Sequence, residues 1–321
     1  MTTQDAIKHI QREYNLNFFF ARKVHFQAKQ DENVNEKIVQ LIKDKPKPFV
    51  KWVGGKRQLL KQFKDMDLYP PELFDSKKNS FFEPFVGGGA VFFDLLPEKA
   101  YLSDMNFELV TTYNVIKNDV ESLIKSLKKH KYDKGYFLKI RAKKVENLTP
   151  LQIASRFIYL NRTCFNGMYR VNSKGEFNVP FGKYDNPLIC DAVNIRKVST
   201  ALKNVEIVHQ DYKVVLQKAK KGDFIYFDPP YHPISETASF TSYTINGFGA
   251  QDQIELRDLY LALHKKGCYL MLSNSDADFI NNIYDELKGD NIKIHKVYAG
   301  RAINANAEGR GKIKEVLVTN Y

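Results

Sequence analysis

The sequence predicts an α/β protein built on a parallel sheet and interrupted by a long insertion. Three observations predict it. Residues 80–104 read as strand, glycine turn, helix and strand. Residues 205–227 resume that alternation and run into Asp228-Pro229-Pro230-Tyr231. Between them, residues 107–199 break the alternation and read as helices followed by a loop rich in Gly, Asn and Arg.

Each element has its own signal. The apolar run Ser80–Phe85 turns through Val86-Gly87-Gly88-Gly89 into a helix beginning at Ala90, and a short strand from Ala100 to Ser103 ends at Asp104. Val205–Val208 ends near Asp211, and a helical stretch follows from Leu216 to Lys220. Phe224–Phe227 is a buried-strand candidate. Leu256, Leu259, Tyr260 and Leu263 recur at helical spacing, and Lys265-Lys266-Gly267 closes that helix. Tyr269–Leu272 and Glu315–Tyr321 read as two more strands. Ahead of all this, residues 1–45 form a helical extension of unassigned role: Ile7, Ile10 and Tyr14 share one spacing, and Val34, Ile38, Leu41 and Ile42 another. Lys45-Pro46-Lys47-Pro48 stops a helix and marks the boundary.

The chain has 321 residues, 43% of them apolar, enough for a large core. Its net charge of +12 points to a polyanionic partner. Segment 125–144 concentrates nine Lys and Arg against one acid, Asp133, with Tyr132, Tyr136 and Phe137 among them. The three cysteines are widely spaced and form no CxxC, so neither a zinc site nor a disulfide framework is indicated. No metal site is expected. No run approaches the length of a membrane span, and Met1–Arg12 lacks a signal peptide's apolar core, so a cytoplasmic protein is expected.

Asp228-Pro229-Pro230-Tyr231 is the sharpest motif. A carboxylate at the C-terminal end of a parallel strand lies where open α/β sheets bind ligands. The prolines give up their N–H groups and keep their carbonyls, so acceptors cluster beside an aromatic face. An exocyclic amine on a planar base fits: its two N–H groups donate to Asp228 and to a carbonyl of Pro229-Pro230, and Tyr231 stacks on the ring. An adenine N6 lone pair is delocalised, so the amine is a weak nucleophile. Acceptors on both N–H groups favour a tetrahedral nitrogen and stabilise the charge that grows as a methyl is transferred.

The glycine turn lets the backbone pass close to a nucleotide-like ligand, and Asp104, 17 residues after Gly87 (104 − 87), stands where an acid holds ribose hydroxyls. Phe92 replaces the last glycine of a strict GxGxxG. Gly54-Gly55-Lys56 is a second ligand loop; Val50 and Arg57 exclude a phosphate-binding P-loop. In the insertion, Arg and Asn side chains between Asn161 and Arg170 are of the types that read guanine and adenine, and Lys174, Lys183 and segment 125–144 suit phosphates.

Together, Pro48–Arg57, Phe82–Gly89, Ser103–Asn106, Phe165–Arg170, Gly175–Gly182 and Asp228–Tyr231 occur in an order that closely resembles the Dam family of DNA adenine N6-methyltransferases. The likeness includes the DpnM-like modification enzymes that read GATC, in the alpha group of amino-methyltransferases. Ser235–Thr237, Phe240–Thr244 and Leu272–Ser275 match as well.

The resemblance implies a Rossmann-like methyltransferase sheet with helices on both faces, formed by residues 46–106 and 200–321. It also implies an inserted, mainly helical target-recognition domain with a β-hairpin loop at 107–199. It implies S-adenosyl-L-methionine as cofactor, held by Trp52, Lys56, Glu83, Pro84, Phe85, Gly87, Asp104, Asp211, Tyr212 and Asp228. Asp228, Pro229, Pro230 and Tyr231 would be catalytic. Arg162, Phe165, Asn166, Met168, Arg170 and Lys183 would meet double-stranded DNA. The expected enzyme is a monomer that methylates a flipped-out adenine, with a restriction endonuclease as a separate companion. Cytosine N4, an RNA adenine, or a DNA-binding regulator without activity stay open as alternatives. Residues 1–45 have no counterpart in the resemblance, and the residues after Tyr231 and Arg301–Asn306 match it less, so no DNA contacts are carried over to them.

Overall fold

The computed structural model describes residues 3–13, 21, 24–25, 45–234, 247–287, 289, 291–300 and 312–321. Tyr14, Val34, Ile38, Leu41, Ile42, Ser235–Thr237, Phe240–Thr244 and Arg301–Asn306 lie outside them. Among the described residues seven strands form one sheet: β1 (Phe81–Glu83), β2 (Ala100–Asp104), β3 (Val205–His209), β4 (Phe224–Phe227), β5 (Tyr269–Ser275), β6 (Lys293–Gly300) and β7 (Lys312–Thr319). Their order is β3-β2-β1-β4-β5-β7-β6. The first five are parallel, and β7 runs antiparallel between β5 and β6. The order reverses between β1 and β4, the place where such sheets open a crevice beyond their strand ends.

The helices among the described residues are α1 (Thr3–Glu13), α2 (Leu60–Asp65), α3 (Ala90–Leu95), α4 (Phe107–Asn118), α5 (Val120–Leu127), α6 (Lys134–Arg141), α7 (Pro150–Thr163), α8 (Ala192–Ala201), α9 (Val215–Lys218), α10 (Ala250–Lys265) and α11 (Asp278–Asp285). They cover both faces of the sheet. Strand residues of odd parity in β1 and even parity in β4, such as Phe81, Phe224 and Tyr226, share one core with Phe92, Leu109 and Ile116. Their neighbours Phe82, Ile225 and Phe227 turn to the other face, against Leu256, Tyr260, Leu263 and Ile283. Period-two alternation therefore feeds two cores from one sheet. Each buried aromatic adds on the order of 2 kcal/mol.

The stretch between β2 and β3 is the helix-rich insertion. Local signals set its helix starts. Asn106 caps α4 through Leu109 N, Asp133 caps α6 through Tyr136 N, and Thr149 forms a capping box with Gln152 ahead of Pro150 on α7. After α7 the chain doubles back in a hairpin-like loop. Antiparallel bridges join Cys164 to Phe181 and Val171 to Phe177, and Gly175, at φ +74°, sits in its tip. A separate core of Phe137, Tyr159, Leu160, Phe177 and Val179 holds that loop against α6 and α7.

Within the insertion, a buried ion pair ties α7 and the loop after it to α4, the helix that leaves β2. Arg156 of α7 donates to Glu108 of α4 at 2.6 Å, and Tyr169 donates to the other Glu108 oxygen at 2.9 Å. No described helix is long and apolar enough to cross a membrane. Ile7 and Ile10, expected on one helical face of the extension, are both buried on α1.

Candidate active site

Four strand ends deliver the expected residues to one edge of the sheet. β1 ends on Glu83, β2 on Asp104 and β4 at Phe227, directly before Asp228, while Asp211 lies just past β3. These positions follow from the parallel register, which places successive strand ends side by side.

The glycine turn is shaped by contacts rather than by its sequence pattern alone. Gly87 has φ +46°, and a Cβ there would lie 2.6 Å from Trp52 Nε1. Only glycine suits both demands. The Gly87 N–H donates to Asp104 Oδ2 at 3.0 Å, and the Asn106 N–H to Asp104 Oδ1 at 2.9 Å. Asp104 thus braces the turn from the neighbouring strand. Burial pushes its carboxyl up from the usual range, and those two N–H donors pull it back in part.

Glu83 is almost fully enclosed and accepts from Phe92 N at 3.1 Å, in the first turn of α3. Burial raises its carboxyl well above the ordinary value, opposed by the Phe92 N–H; the charges of Asp228 and Asp104 raise it further. Phe85 stacks on Tyr212 at 5.2 Å, and Phe248 closes edge-on against Phe85 at 5.8 Å. Asp211 caps the turn that carries Tyr212, accepting from Lys213 N at 2.9 Å. The hydroxyls of Ser103 and Tyr212 are buried with no hydrogen-bond partner among the described residues.

Lys56 reaches this edge from the Gly54-Gly55 turn. Its ammonium, 4% exposed, lies 2.8 Å from Asp228 Oδ1, donates to Gly54 O at 2.6 Å and sits 4.7 Å above the Tyr231 ring centre. Burial raises the Asp228 carboxyl to about 6, and Lys56 is the main influence pulling it down. Tyr231 donates to Glu315 Oε2 of β7 at 2.7 Å, and the Pro230 carbonyl accepts from Gln253 at 2.9 Å. Lys56, Asp228, Tyr231 and Glu315 therefore form one alternating chain of charge and ring. Glu315 and Gln253 were not singled out in the sequence: one lies in an ordinary strand, the other in a helix whose apolar stripe drew all the signal.

The residues expected to meet DNA divide into two groups. Phe165, Asn166, Arg170 and Lys183 are exposed, and Asn166 holds φ +56° at the start of the hairpin-like loop. Arg170 donates to Asn178 across that loop at 2.7 Å. Arg162 and Met168 are half-buried, and the Arg162 guanidinium donates inward to Phe49 O at 2.7 Å. Asn161 joins the two ligand loops: its side chain accepts from Lys51 N at 2.9 Å and donates to Lys51 O and Gly167 O, both at 2.8 Å. Trp52 stacks on Tyr169 at 6.0 Å beside that junction. The expected cofactor loop and DNA loop are thus one packed unit. Among the described residues no cluster of His, Cys, Asp or Glu is arranged to hold a metal ion.

The family profile described as "D12 class N6 adenine-specific DNA methyltransferase" matches residues 52–303. The chain is 43% identical over 292 residues to type II methyltransferase M1.LlaDCHI of Lactococcus lactis subsp. cremoris, covering 88% of this chain and 99% of that protein. It is 44% identical over 293 residues to type II methyltransferase M.MjaIII of Methanocaldococcus jannaschii, covering 86% and 99%. To a DNA adenine methylase of Escherichia coli K12 it is 30% identical over 277 residues, covering 85% and 95%. With its strand order, its glycine turn and its Asp-Pro-Pro-Tyr strand end in place, the chain belongs to the D12 class of N6 adenine-specific DNA methyltransferases.

Proposed function

We propose that this protein transfers the methyl group of S-adenosyl-L-methionine to N6 of an adenine flipped out of duplex DNA, within GATC. The observation that carries the reading is the Lys56–Asp228–Tyr231 arrangement at the end of β4: a buried cation already rests on the carboxylate and ring to which a partly cationic amine would bind.

The donor set fits the cofactor. Asp104 and Asp211 offer carboxylates to hydroxyl and amine groups, Phe85 and Tyr212 offer an aromatic platform, and Glu83 offers a buried carboxyl as hydrogen-bond partner for an ammonium. Pro84 and Gly87 keep the connecting backbone close, and Trp52 and Lys56 close the site from the first loop. The chemistry the cofactor supplies when bound is a methyl group activated on a positive sulfur.

The chain's own residues do the rest. Tyr231 stacks on the extruded base. Asp228 accepts one N6–H bond, and the Pro229 carbonyl accepts the other. Charge developing on N6 is met by the Asp228 carboxylate, which the fold already holds in place against Lys56. Lys56 holds Asp228 ionised and in place until the amine arrives. In the insertion, residues 107–199, exposed Arg170, Asn166 and Phe165 read or wedge the duplex, and Lys183 meets phosphate. Met168 and Arg162 support that loop from below.

The resemblance to modification enzymes extends the proposal to a protective role beside a separate restriction endonuclease, with the methyltransferase acting as a monomer. The test is to treat unmethylated duplex DNA with enzyme and S-adenosylmethionine and to map methylated adenines by direct sequencing, with an RNA duplex of the same sequence in parallel. Methyl groups confined to GATC adenines are expected. Methylation at another motif removes the site assignment, and activity on RNA alone removes the substrate assignment.

A further inference from the structure

The Asp-Pro-Pro-Tyr strand end has few ways to hold itself in place. Pro229 and Pro230 carry no N–H, and the loop beyond β4 leaves the sheet ladder at Phe227. Its backbone is nevertheless fixed at several points by buried side chains that no part of the proposed chemistry uses. Gln253, in the first turn of α10 and 1% exposed, donates through Nε2 to Pro230 O at 2.9 Å. The same carboxamide accepts at Oε1 from Asn274 Nδ2 at 2.9 Å. Asn274, on β5 and fully buried, accepts at Oδ1 from His232 N at 3.2 Å and from Ser275 N at 2.8 Å. Ser275 then donates to His232 O at 2.6 Å.

The two carboxamides are linked to each other, and together with the Ser275 hydroxyl they hold the backbone on both sides of Tyr231. A carboxamide can do this because it carries a donor and an acceptor on one planar group. An aspartate or glutamate lacks the donor, and a leucine lacks both. Buried polar groups are costly unless fully paired, and a fully paired network is rigid. The gain in rigidity falls on the one loop whose acceptors must keep a set spacing. Alignment errors of about 1 Å at a reacting centre cost on the order of 100-fold in rate.

We propose that Gln253 and Asn274 are positioning residues: as linked carboxamides they hold the Pro230 carbonyl and the His232 backbone, and so fix where the Asp228 carboxylate and the Pro229 carbonyl point. This inference rests on the reading of Asp228 and Pro229 as acceptors of the target amine. Neither carboxamide touches the base or the cofactor in this scheme. Each acts through the backbone it holds.

The test is single-turnover methylation of a duplex that the wild-type enzyme modifies, run with wild type, Gln253→Met, Gln253→Glu and Asp228→Ala. Met keeps the length of Gln and removes both hydrogen bonds. Glu keeps the bond from Asn274 and, when ionised, sets an acceptor against the Pro230 carbonyl. Both variants are expected to slow the methyl-transfer step by roughly 10- to 100-fold. Their dissociation constants for S-adenosylmethionine and for DNA should stay within about threefold of wild type. A residue that only packs the core would lower the melting temperature and leave the rate of the folded fraction unchanged. A folded Gln253→Met with a transfer rate within about threefold of wild type overturns the inference, as does a loss confined to either affinity. If Gln253→Met does not fold, Gln253→Glu decides by the same criteria. Asp228→Ala separates the two levels. An active Asp228→Ala defeats the reading of the site itself, whereas an inactive Asp228→Ala beside a fast Gln253→Met defeats the positioning role alone.

Discussion

Lys56 and Asp228 stand far apart in the sequence, yet their side chains meet at 2.8 Å over the ring of Tyr231. The pairing joins the first ligand loop to the end of β4, and it decides the charge state of the acceptor on which the chemistry turns. Burial alone pushes Asp228 toward its neutral form, and Lys56 counters it.

Activity should therefore fall on the acid side. With Asp228 near 6, kcat/KM for the cofactor is expected to drop as pH falls through about 6. Lys56→Met should move that limb to higher pH, because the counter-charge is gone. The sign for stability is opposite. A carboxyl raised in the fold favours the protonated folded state, so its contribution is fully present below the unfolded value near ~4 and is lost as pH rises through about 6. A pH–rate profile with no bend between pH ~5 and ~7 would contradict the assignment of Asp228.

Trp52 is the single tryptophan of the chain, and it lies against Gly87. Its fluorescence should change on titration with S-adenosylmethionine. Gly87→Ala adds a Cβ at 2.6 Å from the indole nitrogen at a backbone angle suited to glycine. The expected cost is about 1–3 kcal/mol in stability with weakened cofactor binding. Unchanged cofactor affinity in Gly87→Ala would show that the turn does not approach the ligand.

Glu108 and Arg156 are both buried, at 2.6 Å. Arg156→Met leaves Glu108 without its counter-charge and should cost about 3–5 kcal/mol. The double change Glu108→Gln with Arg156→Met should recover part of that loss. Urea denaturation of the two variants measures it, and equal losses in the single and double variants would remove the pair as the tie between α4 and α7.

Arg170 and Arg162 should separate in their effects. Arg170 is exposed, so Arg170→Ala is expected to weaken specific DNA binding by about 1–3 kcal/mol with little change in melting temperature. Lys183→Ala should reduce the slope of log K against log salt by about 0.9. Arg162 donates to the Phe49 carbonyl, so Arg162→Ala should destabilise the fold first. Thermal melts and DNA titrations at several salt concentrations distinguish the three.

Much of the fold was legible in the residues. Apolar runs closed by Gly87-Gly88-Gly89 and by Asp228-Pro229-Pro230 placed β1 and β4, and helical spacing at Leu256, Leu259, Tyr260 and Leu263 placed α10. Strand β6 and helix α11 were not foreseen. In β6, Lys293, His295 and Lys296 interrupt the apolar pattern, as suits an edge strand with one partner. Helix α11 is only eight residues long, too short for its spacing to stand out.

The sequence by itself determined the order of the elements and the chemistry of the motif, because turn-forming glycines, imino acids and period-two runs act locally along the chain. It marked Arg162 and Met168 by residue type, and only the tertiary structure turned them inward while leaving Phe165, Asn166 and Arg170 outside. It marked Lys56 and Asp228 separately, and only the packed sheet made them a pair. Asn274 was marked only as part of the matching stretch Leu272–Ser275, and Gln253 and Glu315 were not singled out, because a buried polar side chain takes its meaning from the partner that long-range packing sets against it.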